Sequence, residues 1–200
     1  MYNFWEERYR YGDMPWTLNV ASPPIITYID QLQNRSSKIL IPGAGIGGEA
    51  QYLFENGFTD ITILDISETA IATLKRRLGE PTQIKYVCAD FFDFGGKYDL
   101  ILEQTFFCAL NRNERPNYVQ KMASLLNDAG TLAGVLFASE FEKPGPPHGG
   151  TLNEYLSLFS DHFHIHTMEP CYNSITPRAA NEIFIILKKH TSEIALEKKI

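Results

Sequence analysis

The sequence predicts a doubly wound α/β fold whose mostly parallel, seven-stranded sheet ends in an antiparallel last strand. Three observations carry that prediction. Strand-like and helix-like periods alternate from about Ser22 to Lys189, the pattern of a parallel sheet with crossover helices. A glycine-rich turn, Gly43 to Gly48, sits at the first strand-to-helix junction. The last two strand-like runs stand too close together for a helical crossover, so they pair antiparallel. This divides the chain into an N-terminal segment, 1–21, an α/β domain, 22–189, and a tail, 190–200.

The elements follow in order. Ser22-Pro23 is an N-cap and first-turn pair, and Ile25, Ile26, Ile29 and Leu32 share a face of the helix it opens. Lys38 to Pro42 is a short apolar strand that stops in the glycines and gives way to a helix carrying Ala50, Leu53 and Phe54. Ile61 to Asp65 repeats the logic, with Ser67 opening a helix that turns Ala70, Ile71, Leu74 and Leu78 to one side before Gly79 and Pro81. Ile84 to Cys88 and Tyr98 to Glu103 are the third and fourth strands. Pro116 starts a helix that buries Tyr118, Val119, Met122, Leu125 and Leu126, and Asn127 to Gly130 closes it. Gly130 to Ala138 is a central strand covered on both faces, and Pro144 to Gly150 is a loop. Thr151 and Glu154 form a capping box for a helix bearing Leu152, Tyr155, Leu156 and Phe159. Strands at Phe163–Met168 and Ile183–Lys188 complete the seven.

Composition bounds the function. With 44% hydrophobic residues against 21% charged in 200, the chain buries enough apolar surface to offset its ordering entropy, which excludes a disordered or fibrous protein. The 18 Lys+Arg against 24 Asp+Glu leave a net charge of −6. The basic footprint that neutralises phosphates is therefore missing, and neither nucleic acid nor a membrane surface is expected as a partner. No segment approaches the ~20 apolar residues that span a bilayer, and the charged first turn around Glu6, Glu7 and Arg8 reads as cytoplasmic. A monomer or weak dimer is expected. Cys88, Cys108 and Cys171 lack metal-ligand spacing and read as free, mostly buried thiols in a reducing compartment.

The chemistry is concentrated at the strand tips. A glycine-rich turn between strand and helix lets backbone N–H groups approach a ligand at the edge where open parallel sheets bind them. Asp65 stands 22 residues beyond Gly43 at the end of the next strand, where a carboxylate accepts hydrogen bonds from both hydroxyls of a ribose. A nucleoside cofactor follows. Gly43, Gly45 and Gly48 satisfy the dinucleotide spacing G-x-G-x-x-G, yet the loop suits S-adenosylmethionine equally. Ala89-Asp90-Phe91 shifts the balance toward the latter, since a carboxylate beside an aromatic takes the exocyclic amine of an adenine and covers its ring. The chain also has little length left after the seventh strand for the second region of a nicotinamide enzyme.

The chain resembles the class I S-adenosylmethionine-dependent methyltransferases, and among them the thiopurine and thiol methyltransferase family, which includes thiocyanate and halide methyltransferases. The resemblance rests on Phe4-Trp5-Glu6-Glu7-Arg8-Tyr9, Met14-Pro15-Trp16, Ile41-Pro42-Gly43-Ala44-Gly45, Leu64-Asp65-Ile66-Ser67, Ala89-Asp90-Phe91-Phe92, Tyr98-Asp99-Leu100-Ile101, Thr105-Phe106-Phe107-Cys108-Ala109-Leu110, Arg115-Pro116 and Pro177-Arg178-Ala179. It implies a Rossmann-like methyltransferase fold with an N-terminal aromatic lid. It further implies cofactor contacts from Trp5, Tyr9, Trp16, Gly43, Ala44, Gly45, Asp65, Ile66, Asp90, Phe91 and Glu103. Three positions depart from the family pattern: Ala44 stands where Cys is common, Glu103 where Asp is, and Gln104 where an aromatic or Arg is.

The implied reaction moves a methyl group from S-adenosylmethionine, leaving S-adenosylhomocysteine, to a small soft acceptor such as a thiol, thiocyanate, halide or thiopurine, by in-line displacement. Alignment and water exclusion are the enzyme's main contributions there, and no catalytic residue is singled out. Trp5, Tyr9 and Trp16 either lie over the sulfonium as a lid or anchor the segment by burial, and both can hold. Glu103, Gln104, Phe106, Phe107 and Arg178, with Cys108 and the 144–150 loop, form the expected acceptor side. For Phe106 and Phe107 core packing is the competing role, and for Arg178 an ion pair. His162, His164 and His166 alternate on what reads as an exposed edge strand, and no metal is expected. Two other classes stand beside this reading, an NAD(P)-dependent oxidoreductase and a non-catalytic nucleoside-binding domain.

Overall fold

The computed structural model describes residues 2–18, 20–142 and 145–191. Pro144 and most of the expected tail, from residue 192 on, lie outside the described residues. The chain forms two compact units, Met1–Gly95 and Gly96–Ile200.

The first unit opens with helix α1 (Tyr2–Tyr11), then α2 (Pro23–Asp30), β1 (Lys38–Pro42), α3 (Gly48–Glu55), β2 (Asp60–Asp65), α4 (Glu68–Leu78) and β3 (Ile84–Cys88). Its strands run in the order β3-β2-β1, all parallel, with Ile39 beside Ile61 and Ile61 beside Ile84. Ile39, Leu40, Ile61, Ile63 and Leu64 are buried, so the strands read as continuous apolar runs covered on both faces. Each such side chain contributes about 1.5–3 kcal/mol on burial. The amphipathic faces predicted for α3 and α4 are the buried ones, through Ala50 and Leu53 on one and Ala70, Ile71 and Leu74 on the other. Helix α3 must begin at a glycine, because a methyl group on Gly48 would lie 2.6 Å from the Val20 carbonyl carbon. Beside that contact the Ser22 N–H donates to buried Glu49 at 3.0 Å, which fixes the entry of the chain into α2.

The second unit contains β4 (Tyr98–Gln104), α5 (Arg115–Leu125), β5 (Leu126–Phe137), α6 (Leu152–Ser160), β6 (Phe163–Pro170) and β7 (Glu182–Lys189), with short 3-10 turns at Phe107–Ala109, Arg112–Glu114 and Thr176–Arg178. Its strand order is β4-β5-β7-β6. Strand β5 lies parallel to β4, and β7 is antiparallel to both of its neighbours, as the short connection between the last two strands requires. Strand β6 is the edge, where His164 and His166 are exposed, while His162 precedes the strand.

Three local expectations are corrected. The predicted turn at Asn127–Gly130 does not end the element before β5 but is carried within that strand: Tyr98 pairs with Leu126 and Leu100 with Thr131, so residues 127–130 bulge out between ladder pairs, with Ala129 at φ 58°. Glu154 does not complete a capping box. Thr151 Oγ1 accepts the Glu154 N–H at 3.2 Å, but the Glu154 carboxylate turns to Arg115. Leu156, expected on the buried face of α6, is exposed, and Tyr155 and Phe159 supply that face.

Candidate functional site

In the first unit, the tips of β1 and β2 are joined through one side chain. Asp65 ends β2, and its carboxylate accepts the Gly45 N–H and the Ser67 N–H, each at 2.9 Å. The glycine turn and the start of α4 are thereby tied to one group. Ser67 is the helix cap, its Oγ accepting the Ala70 N–H at 3.1 Å, and the Ala44 N–H reaches back to the Leu64 carbonyl at 3.2 Å. Burial pushes the Asp65 carboxyl up to about 6, against the backbone hydrogen bonds from Ser67, Gly45 and Ile66 that favour its charged form. The rim of the turn is open: Gly43, Ala44, Gly45 and Ile46 are half-buried, as is Ile66 after the strand.

The N-terminal segment reaches the same turn. Helix α1, which the sequence pattern did not anticipate, carries Trp5 and Tyr9. Trp16 packs edge-on against Trp5 at 5.4 Å and Tyr9 at 6.3 Å, and Arg8 lies 5.3 Å over the Trp16 ring. The Tyr9 phenol, hydrogen-bonded to Trp16, is pushed well above its ordinary range by burial and by the Asp65 charge. The aromatics thus pack on one another, and Tyr9 stands over Gly45. Sequence reasoning missed Glu6. Its carboxylate accepts the Ser67 Oγ–H at 2.7 Å, the Thr69 N–H at 3.2 Å and the Thr69 hydroxyl.

At the β3 tip, Asp90 is exposed and organises a turn, its Oδ1 accepting the Phe92 N–H at 2.8 Å and its carbonyl those of Asp93 and Phe94. Phe91 departs from the expectation of a ring laid on an adenine. It is only 5% exposed, with its ring edge-on to Phe92 at 5.3 Å, because the residue after the turn-forming Asp90 points into the core.

These groups fit an adenosyl cofactor. A carboxylate has about four acceptor positions, and the three backbone donors on Asp65 leave capacity for a hydroxyl. The open backbone turn suits a polar tail, and the Trp5, Tyr9 and Trp16 cluster supplies aromatic faces of the kind that favour a sulfonium.

In the second unit, the end of β4 carries the residues expected on the acceptor side. Glu103, expected as a cofactor and acceptor contact, serves as an internal brace in this structure. It is fully buried; one oxygen accepts the Phe106 and Phe107 N–H groups at 2.8 and 2.9 Å, the other the Tyr118 hydroxyl at 2.6 Å. Burial pushes its carboxyl up to about 7 against those three bonds. Of the two roles expected for Phe107 the structure has core packing, with the ring 1% exposed among Tyr118, Tyr155 and Phe159. Gln104, Thr105 and Phe106 are half-buried at the tip, and Thr105 holds φ 58°, a costly conformation for a β-branched residue that clusters at functional sites. Glu103, Thr105, Cys108, Val135, Phe137 and Glu182 line a narrow crevice there. Arg178 borders it, 5.8 Å over the Phe137 ring and 3.5 Å from Glu182. Burial, then the charge of Glu103, pushes the Cys108 thiol up to about 12.

A second arginine of this unit is buried more deeply than Arg178. Arg115, 1% exposed, pairs with Glu154 at 2.7 Å, donates to the His148 and Gly149 carbonyls at 3.1 and 2.8 Å, and lies 4.6 Å over the Phe107 ring. It anchors the loop before α6. The only signal in the sequence was its place beside Pro116 at a helix start.

A half-buried glycine turn, an inward carboxylate at the next strand tip and this strand order define a nucleoside-cofactor enzyme of the doubly wound class. The comparisons name the class. The fold is that of the 1,6-didemethyltoxoflavin-N1-methyltransferase of Burkholderia thailandensis, solved with S-adenosylhomocysteine, at TM-score 0.75 and 21% identity over 94% of this chain and 87% of that one. A probable thiol methyltransferase 2 of Arabidopsis thaliana is 30% identical over 76% of this chain and 69% of its own length, and thiocyanate methyltransferase 1 of Brassica oleracea is 28% identical over the same shares. The thiopurine S-methyltransferase family model matches residues 1–193, and the chain belongs to that family. It is an S-adenosylmethionine-dependent methyltransferase, which sets aside the nicotinamide and binding-only alternatives. Among the described residues no helix is long and apolar enough to cross a membrane.

Proposed function

We propose that this enzyme methylates a small soft nucleophile, a thiol, thiocyanate, halide or thiopurine-like molecule. The observation that carries the reading is the engagement of Glu103. The carboxylate at this strand tip has no exposed surface, and its two oxygens hold two backbone N–H groups and a tyrosine inside the fold, so it is not presented to take a proton from an acceptor. A nucleophile already anionic, or a thiol partly ionised at neutral pH, needs no such base. The names of the relatives, thiol and thiocyanate methyltransferases, agree.

When bound, S-adenosylmethionine supplies an electrophilic methyl group on a sulfonium that departs as a neutral thioether. Asp65 would accept a ribose hydroxyl, with Ile66 beside it. Asp90 would meet the adenine edge, with the Phe91 backbone behind it. The Gly43-Ala44-Gly45 turn would hold the amino-acid end, and Trp5, Tyr9 and Trp16 would exclude water. Gln104 and Phe106 would shape the acceptor space, and Arg178, bordering the crevice at Phe137 and Glu182, would orient an anionic acceptor through its rigid fork. The three free thiols, Cys88, Cys108 and Cys171, support a cytoplasmic, reducing location.

The test is a panel of thiocyanate, iodide, an aromatic thiol and a thiopurine, each with S-adenosylmethionine, followed by S-adenosylhomocysteine release and by headspace or chromatographic detection of the methylated product. Turnover on at least one of them is expected. Release of S-adenosylhomocysteine only with amine or hydroxyl acceptors would overturn the reading.

A further inference from the structure

We infer that Glu6 is a positioning residue for the cofactor, a latch that couples docking of α1 to the shape of the Asp65 turn. The inference rests on the reading of that turn as the adenosyl site. Glu6 holds the Ser67 hydroxyl, the Thr69 N–H and the Thr69 hydroxyl. The Ser67 N–H is held in turn by Asp65, and the other oxygen of Asp65 holds the Gly45 N–H. Three residues further along α1, the Tyr9 hydroxyl closes over Gly45. The contacts thus form a ring, Glu6 to Ser67 to Asp65 to Gly45 to Tyr9, that begins and ends on one helix.

Two physical points give the latch its weight. Helix α1 has no fully buried residue; Trp5 and Tyr9 are half-buried against Trp16, so polar contacts add to a modest apolar share of its docking. The Thr69 N–H is one of the donors that a helix start leaves unpaired, and an anion placed there is favoured by the helix dipole. Burial raises the Glu6 carboxyl, but hydrogen bonds from Thr69 and Ser67 outweigh it and leave it below its ordinary value. Any ligand that orders the Asp65 turn must then favour docked α1, and docked α1 must favour the ligand to the same degree.

The experiment compares wild type, Glu6→Ala, Glu6→Gln and Thr69→Val by calorimetric titration with S-adenosylhomocysteine, with hydrogen exchange of the 2–11 amides measured with and without it. Glu6→Ala is expected to weaken binding about tenfold, within the ordinary range of coupling between linked sites, and to speed exchange throughout α1. Glu6→Gln is expected to fall between, because its amide oxygen still accepts the Thr69 N–H. Adding Thr69→Val to Glu6→Ala is expected to give little further loss. Unchanged affinity in Glu6→Ala with faster α1 exchange would reduce Glu6 to a structural tie and overturn the inference, as would lost affinity with α1 protection intact. Failure of the underlying reading looks different: wild type itself would not bind S-adenosylhomocysteine, while α1 protection would still depend on Glu6.

Discussion

The Tyr9 hydroxyl lies against Gly45, so closely that a methyl group added to the glycine would stand 2.9 Å from it. Gly45 also holds φ 56°, in the left-handed region where a side chain costs about 1–2 kcal/mol. Gly45→Ala therefore combines backbone strain with displacement of Tyr9. It is expected to reduce S-adenosylhomocysteine affinity by about tenfold or more, chiefly because the turn loses its alignment with the ligand. Gly57→Ala is the control, since Gly57 has φ 81° with nothing within 4 Å of an added methyl. It should lower the unfolding free energy by a similar about 1–2 kcal/mol and leave affinity unchanged. Calorimetry and urea unfolding of the two variants read both quantities.

Asp65 predicts opposite pH trends for binding and folding. Burial holds its carboxyl at about 6 against an ordinary 3.8. As a ribose acceptor it must be ionised, so affinity for S-adenosylhomocysteine is expected to be flat above about pH 7 and to weaken below 6. Folding runs the other way. The folded protein binds this proton more readily than the unfolded chain, so this group's contribution to stability falls as pH rises from about 4 to 6. Asp65→Asn should remove both trends and bind more weakly at neutral pH. Titrations across pH 5–8, paired with thermal unfolding at each pH, measure them.

How much of this was legible in the sequence depends on the range of the interaction. Periodicity placed β1 at its observed bounds, and the Ser67 cap and Asp65 followed from local spacing, because strand period, cap chemistry and the glycine turn are set by neighbours in the chain. Glu6 and Arg115 were not assigned roles, since their partners lie 61 and 39 residues away and nothing local announces a carboxylate that caps another helix. The inward direction of Glu103, and the choice of core over pocket lining for Phe107, were not legible for a related reason. Resemblance fixes which strand end a residue occupies, but the direction of its side chain is decided by the Phe106–Ala109 turn folding back over it and by Tyr118 arriving from α5.

The Glu103 brace titrates in a window that separates it from Asp65. Its carboxyl is raised by burial from 4.5 to about 7, so its contribution to stability declines as pH rises through that interval, and between about 6 and 7 it declines alone. Glu103→Gln keeps an acceptor for Phe106 and Phe107 and offers a donor to Tyr118. It is expected to flatten the stability profile in that interval and to leave the protein more stable at pH 8. Glu103→Ala strands two N–H groups and a hydroxyl, each costing about 1–3 kcal/mol when buried unpaired. Chemical unfolding from pH 5 to 8 distinguishes them.

Arg115 tests whether the loop before α6, proposed for the acceptor side, is held from within. Its guanidinium, 1% exposed, joins Glu154 on α6, the carbonyls of His148 and Gly149, and the faces of Phe107 and Tyr155. Removing one partner of a buried pair typically costs about 3–5 kcal/mol. Glu154 is 34% exposed, so water can take its charge in part, and the lower end of that range is expected for Arg115→Ala. Arg115→Lys should recover little, because a single ammonium cannot span a carboxylate and two carbonyls as a planar fork does. The loop retains the His148 N–H to Cys108 and Gly150 N–H to Ser139 bonds. If those suffice, urea unfolding of Arg115→Ala will show a loss below about 1 kcal/mol, the net worth of an ordinary hydrogen bond. If Arg115 is the anchor, the loss will exceed that several-fold, and KM for the acceptor will rise while affinity for S-adenosylhomocysteine stays unchanged.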